Sequence, residues 1–210
     1  RSALSSDEGS VTLSTSLGDL AADRYVVATG ADSLATQTLA GVTIPQRSTP
    51  GIIVMTKPLP RLIQRVIAAP GIHLHQRNDG KLVIGEQSGA PDNSAHTMRL
   101  RGRPTRFPTE TTALAHAERM LAITRHYLPA AAGAEVDEVL IGWRPLPIDG
   151  HPVIGTPGVS PASYLAIMHS GITLAPVVGQ LVAQELLTRT PSPHLSNYRP
   201  DRQFSSVQRY

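Results

Sequence analysis

The spacing of apolar residues changes along this chain, and each change predicts a different element of secondary structure. Residues 10–14 alternate between polar and apolar, which indicates a strand, and residues 17–19 indicate a turn. Residues 23–30 form a run that becomes wholly apolar before it ends on glycine, which is typical of a parallel strand buried on both faces. The small residues at its end permit close approach of a ligand or of another backbone.

The middle of the chain has the pattern of an antiparallel sheet. Residues 71–77 and 81–86 flank Asn78, Asp79 and Gly80, which together are a strong signal for a hairpin. Further elements predicted here are a crossover at residues 43–51, strands at residues 51–56 and 96–101, and a polar loop at residues 87–93.

Two segments show the three-and-four spacing of an amphipathic helix. The first covers residues 108–128, with a cap at Thr109 or Thr111 and a stop at Pro129. We expect its core stripe to consist of Leu114, Ala117, Leu121, Thr124 and Leu128, with Met120 and Tyr127 beside it. The second follows a strand at residues 164–168 and covers residues 172–188, and its expected buried side consists of Val177, Val178, Leu181, Val182 and Leu186.

Composition narrows the class of protein. The 210 residues are 40% hydrophobic and 17% charged, which is typical of a globular chain with a sizeable core. The absence of cysteine excludes disulfides, thiolate metal sites and cysteine nucleophiles. The formal net charge is +3, and nearly all basic residues are arginines without a run, which argues against nucleic acid. No apolar run approaches the roughly 20 residues of a membrane span.

Several familiar signatures are missing. The sequence contains no Gly-x-Ser-x-Gly elbow, no Walker loop and no Gly-x-Gly-x-x-Gly fingerprint. His73 and His75 lie two apart on a predicted strand, so both point to one face, as a pair of metal ligands would. No third ligand is placed beside them by the sequence, so we expect no metal site.

Arg144 has two interpretations. It follows the only tryptophan, Trp143, and precedes Pro145, which favours an extended backbone at the arginine. A half-desolvated guanidinium at the end of a strand costs free energy unless it is paired. It therefore forms either a structural salt bridge, to Asp149 or Glu138, or a two-point clamp on a substrate carboxylate.

A second candidate is the break His169-Ser170-Gly171 just before the second helix. In one interpretation Ser170 or Thr173 supplies an ordinary capping oxygen. In the other, the helix N-terminus stabilises negative charge on a ligand. The residues alone leave both open.

Five segments, taken in their order and spacing, carry a resemblance to a known family. They are residues 22–31 (ADRYVVATGA), 76–85 (QRNDGKLVIG), 142–155 (GWRPLPIDGHPVIG), 169–176 (HSGITLAP) and 201–204 (DRQF). Together they resemble the C-terminal part of the flavin oxidoreductases related to D-amino acid oxidase, glycine oxidase and sarcosine oxidase. The glycine-rich βαβ unit that begins that family and holds the FAD pyrophosphate has no counterpart in these 210 residues.

The resemblance implies an α/β fold with an α+β middle: a partial FAD-binding domain with an inserted substrate domain. The expected divisions are residues 1–38 and 141–190 for the FAD-binding domain, 39–140 for the antiparallel substrate domain with its helix, and 191–210 for a C-terminal tail. We expect these residues alone not to hold FAD tightly. The chain could be a truncation or a proteolytic product, or a separate chain could supply the missing N-terminal FAD-binding part.

The resemblance also implies FAD as cofactor and oxidation of the C–N bond of an amine or amino acid by hydride transfer. The substrate would contact Arg144 and His169, and no residue is assigned as catalytic. The residues expected to contact FAD are Ala28, Thr29, Gly30, Ser170, Gly171, Ile172 and Thr173. The alternative is a non-catalytic flavoprotein subunit or binding module with the same fold. We expect a cytoplasmic protein with no membrane span and no nucleic acid partner.

Overall fold

The structure is a computed structural model, and it describes residues 3–5, 10–86, 105–107 and 109–207. The strand expected at residues 96–101 and the loop expected at residues 87–93 lie outside these ranges. The chain divides into two compact units. The first consists of Arg1–Ser48 and Arg144–Arg209, and the second of Thr49–Trp143.

The first unit opens with an antiparallel sheet of three short strands, β1 (Ala3–Ser5), β2 (Val11–Thr15) and β3 (Gly18–Ala22). The strand predicted at residues 10–14 is confirmed as β2. The turn predicted at residues 17–19 is wrong in its position, because Gly18 already pairs with Thr15 as the first residue of β3. The hairpin needs only two turn residues, so glycine and aspartate belong to the strand.

The second sheet of this unit contains β4 (Tyr25–Val27), β10 (Val153–Gly155) and β11 (Ser163–Ile167) in the order β10-β11-β4. β4 runs parallel to β11, which confirms the predicted parallel pairing, and β10 runs antiparallel to β11. The prediction that β4 is buried on both faces is wrong. Val27 is buried, but Val26, whose side chain points to the opposite face of the sheet, is 45% exposed.

Two helices pack with this sheet, α1 (Ser33–Ala40) and α3 (Gly171–Thr188). Of the buried side predicted for α3, Val178 and Val182 are buried, whereas Val177 is 51% exposed and that expectation is wrong. A turn of 3.6 residues places Val177 beyond the edge of the buried stripe. Among the described residues, α3 is long and apolar enough to cross a membrane by length and composition alone. One such helix is weak evidence for a membrane span.

The second unit is built on a five-stranded sheet with the order β6-β7-β8-β5-β9. Its strands are β5 (Gln46–Thr56), β6 (Ile67–Ala69), β7 (Ile72–Gln76), β8 (Leu82–Glu86) and β9 (Val136–Pro147), and both β5 and β9 continue past the boundary of the unit. The hairpin β7–β8 is confirmed, with Gly80 in its turn. The crossover predicted at residues 43–51 is wrong, because β5 begins at Gln46 and includes Pro50.

One face of this sheet is covered by α2 (Glu110–Tyr127), whose predicted cap Thr109 accepts a hydrogen bond from the Thr112 amide. Burial of the predicted stripe is only partly confirmed, because Leu114 is 44% exposed. Tyr127, expected beside the stripe, is 42% exposed. The core residues between helix and sheet are Val54, Ile72, Leu74, Leu82, Ile84, Ala117, Met120 and Leu121.

Candidate functional site

Two neighbouring parallel strands of the first unit end at the same edge of their sheet. Val27, the last residue of β4, pairs with Leu165 in β11. The turn Ala28–Gly30 therefore follows β4 at the edge where His169 and the start of α3 follow β11. Ligands of open α/β sheets bind at such carboxyl edges.

The turn after β4 contacts a hydroxyl group of α1, and the turn ends on a glycine. The hydroxyls of Thr29 and Thr36 lie 2.6 Å apart, and the hydroxyl of Thr36 donates to the carbonyl of Asp32. Gly30 has a φ of 59°, which favours glycine. A Cβ built on Gly30 would lie 4.0 Å from Cγ of Pro145, so this turn lies beside the residue that follows Arg144.

The N-terminus of α3 lacks the side-chain cap that one of the two interpretations of the sequence predicts. Ser170 is the capping residue, but its hydroxyl lies 2.8 Å from Nδ1 of His169 and bonds no helix amide. Capping by Ser170 or Thr173 is therefore wrong. The first helical bond runs from the Leu174 amide to the Ser170 carbonyl, which leaves the amides of Gly171, Ile172 and Thr173 without helical acceptors.

These three residues are also exposed, and Ile172 is 94% exposed. An uncapped, exposed helix start presents several N–H groups and the positive end of the helix dipole. The local chemistry therefore favours a negatively charged or electron-rich group at this place.

Arg144 lies at the end of the same site. It is half-buried in β9, and its positive charge is close enough to His169 to act on the imidazole. Burial lowers the pKa of His169, and the charge of Arg144 lowers it further. His169 is therefore neutral at pH 7 and can accept as well as donate a hydrogen bond.

Asp149, one of the two salt-bridge partners predicted for Arg144, is bound by a different arginine. Asp149 receives two hydrogen bonds from Arg202, at 2.8 and 3.1 Å, and a third from the amide of His151. Arg202 also lies over the ring of Phe204, 4.4 Å from its centroid. The pair joins residues 53 positions apart, so no local sequence signal predicts it. The carboxylate of Asp149 is thus bound by Arg202, and both interpretations of Arg144 stay predictions.

The predicted substrate and cofactor residues thus fall into one region of the first unit. Gly30 lies beside Pro145, Arg144 acts on His169, and His169 contacts the residue that begins α3. Their roles stay predictions. His73 and His75 belong to the second unit, on the exposed side of β7. Among the described residues, no group of three or more His, Cys, Asp or Glu side chains could hold a metal ion.

Residues 2–185 match the family model described as FAD dependent oxidoreductase. The bifunctional protein ThiO/ThiG of a Synechocystis species is 30% identical over 207 residues, which cover 95% of this chain and 28% of that protein.

Solved structures show the same fold. Glycine oxidase from Geobacillus kaustophilus aligns with a TM-score of 0.68 and 24% identity, over 95% of this chain and 50% of that one. L-amino acid deaminase from Proteus myxofaciens aligns with a TM-score of 0.74 and 15% identity, over 96% of this chain and 54% of that one. The chain therefore spans about half the length of these solved structures and less of the ThiO/ThiG protein. The match of the family model over most of its length shows that the chain belongs to the FAD dependent oxidoreductase family of D-amino acid oxidase and glycine oxidase.

Proposed function

We propose that this chain forms the substrate side and the flavin-ring side of an enzyme that oxidises the C–N bond of an amine or amino acid. The observation that carries the proposal is the grouping of Arg144, His169 and the uncapped start of α3. Family membership supplies FAD as the cofactor of the class. A cytoplasmic location belongs to the same proposal.

The described residues fit a flavin. The exposed amides of Gly171, Ile172 and Thr173 would hold the side of the ring that becomes negative on reduction, at N1 and the C2 carbonyl. Thr29 and Gly30 would approach the cofactor from the end of β4, where glycine leaves the tip of the turn free of a side chain. Ser170 would keep His169 oriented, because its hydroxyl is within hydrogen-bond distance of Nδ1.

The chemistry divides between cofactor and chain. Bound FAD would supply the two-electron acceptor for the hydride of the substrate α-carbon, which leaves an imine that water hydrolyses. Arg144 would bind the substrate carboxylate with two parallel hydrogen bonds and so fix the α-carbon. A substrate amine that arrives deprotonated needs no side-chain base, and the neutral imidazole of His169 can accept a hydrogen bond from it.

Anaerobic mixing tests this function against a non-catalytic flavoprotein. The purified full-length protein is mixed with individual amino acids and amines, and the oxidised flavin absorption is followed without oxygen. We expect one class of amino acid to bleach the flavin in a single exponential phase. A flavin that binds but is not bleached by any carboxylate-bearing amine would support the binding module instead.

A further inference from the structure

A cavity of about 260 Å³ opens at the other edge of the parallel sheet, away from the start of α3. Arg24 lines it from just before β4, and Thr156 lines it from just after β10. β4 and β11 are parallel and each residue of a strand advances about 3.3 Å. The cavity therefore lies at the amino ends of these strands, whereas Ala28–Gly30 and His169 lie at their carboxyl ends.

Three arginines line this cavity, and one of them is neutralised within the fold. Arg199 donates to both carboxylate oxygens of Glu185, at 2.9 and 2.6 Å, and Glu185 also accepts a bond from the Tyr164 hydroxyl. Only 7% of Glu185 is exposed, so this pair is a buried tie between α3 and the segment that follows it. The charges of this pair cancel, so the remaining charged residues of the lining are Arg24, Arg189 and Asp201.

Arg24 and Arg189 carry the positive part of this remaining charge. Across the described ranges neither guanidinium has a hydrogen bond or an ion pair, and both side chains are exposed. Arg189 is the C-cap of α3 and has a φ of 55°, a backbone region in which glycine is the usual residue. The negative end of the helix dipole favours a cation there, but it does not account for Arg24 in the same cavity.

We propose that this cavity binds a small phosphate-bearing molecule. Two guanidinium groups present planar sets of donors that suit phosphate oxygens, and the exposed hydroxyl of Thr156 adds another donor. Asp201 also lines the cavity, and its carboxylate repels an anion while accepting a hydrogen bond from any ligand hydroxyl. One positive charge remains in excess when Arg199 is paired with Glu185. This site is independent of the function proposed above.

Calorimetric titration of the full-length protein with inorganic phosphate, at ionic strength held constant with chloride, tests the site. We expect saturable binding that Arg24→Gln and Arg189→Gln each weaken at least about fivefold, because each removes a charge-assisted donor. Asp201→Asn is expected to tighten binding, since it removes a repulsive charge. Arg65→Gln is the matched control, because Arg65 is an exposed arginine in the second unit and its loss is expected to change nothing.

Three results would overturn the proposal. They are the absence of saturation by phosphate, an equal effect of Arg65→Gln, and tighter binding of malonate than of phosphate, which would assign the cavity to dicarboxylates. Flavin absorption recorded in the same samples separates loss of this site from loss of the cofactor. A failed phosphate titration with an unchanged flavin spectrum leaves the proposed oxidoreductase function standing.

Discussion

The guanidinium of Arg144 lies close enough to the imidazole of His169 for its charge to act on that ring, in addition to the effect of burial. The two residues are 25 positions apart, because Arg144 lies within β9 and His169 follows β11. One site therefore combines a cation, a neutral imidazole and an open helix start. Each can be changed separately.

The first prediction concerns the pKa of His169. Burial and the charge of Arg144 both lower it, so Arg144→Gln should raise the pKa towards its ordinary value while leaving the effect of burial. Histidine ring signals in an NMR titration measure the shift, and His169→Asn identifies the signal. Arg65→Gln should leave it in place. A pKa that stays unchanged or falls in Arg144→Gln would show that the arginine charge does not reach the ring.

The second prediction concerns stability. Glu185 and Arg199 form a buried pair whose side chains are 7% and 22% exposed. Glu185→Ala leaves a guanidinium without its counter-charge, so we expect it to lower the free energy of unfolding by about 3 kcal/mol. Denaturant unfolding measures the loss. Lys57→Ala is the control, because its ion pair with Glu135 is exposed and should contribute little. Equal effects of the two variants would contradict a structural role for Glu185.

The same pair predicts a dependence of stability on acid. Burial raises the pKa of Glu185, but hydrogen bonds from Arg199 and Tyr164 outweigh it and lower the pKa to about 2, below the ordinary value of 4.5. A carboxyl with a depressed folded pKa stabilises the fold above its unfolded pKa. That stabilisation is lost as the pH falls from 4.5 towards 2. Glu185→Gln should remove this part of the acid dependence, and a pH series of unfolding curves with an unchanged slope would refute it.

The fourth prediction concerns the hairpin turn of the second unit. Gly80 has a φ of 87°, and a Cβ there would lie 2.7 Å from the carbonyl oxygen of Leu59. Gly80→Ala should therefore lower the free energy of unfolding by about 2 kcal/mol through backbone strain and a contact that cannot relax cheaply. Thermal unfolding measures it against Gly133→Ala, since Gly133 has open space around its Cα. If Gly80→Ala leaves the free energy of unfolding unchanged, the backbone of the turn can adjust and the prediction is contradicted.

Features specified by neighbouring residues were predictable from the sequence. Asn78, Asp79 and Gly80 predict their hairpin because the turn demands those residue types, and Thr109 caps α2 through its own hydroxyl. The sequence also predicts the break between β11 and α3. The order of five short segments was sufficient to indicate the family, which the match to residues 2–185 confirms.

What could not be predicted depends on contacts distant in sequence. The bond between Asp149 and Arg202 spans 53 positions, so the sequence alone left Arg144 with two interpretations. Ser170 could cap α3 by composition, but His169 takes its hydroxyl instead. The spacing of apolar residues along α3 predicts that Val177 is buried, but it is 51% exposed. How far burial extends around the helix depends on what packs against it, and the spacing alone does not show this.

The central claim is that Arg144 binds a substrate carboxylate, and steady-state kinetics of Arg144→Ala in the full-length protein tests it most directly. Two substrates are compared, an amino acid and the amine that lacks only its carboxylate, with Arg65→Ala as the control variant. We predict that kcat/KM for the amino acid falls on the order of a hundredfold while that for the amine changes little. An equal loss for both substrates, or no loss for either, would contradict the claim.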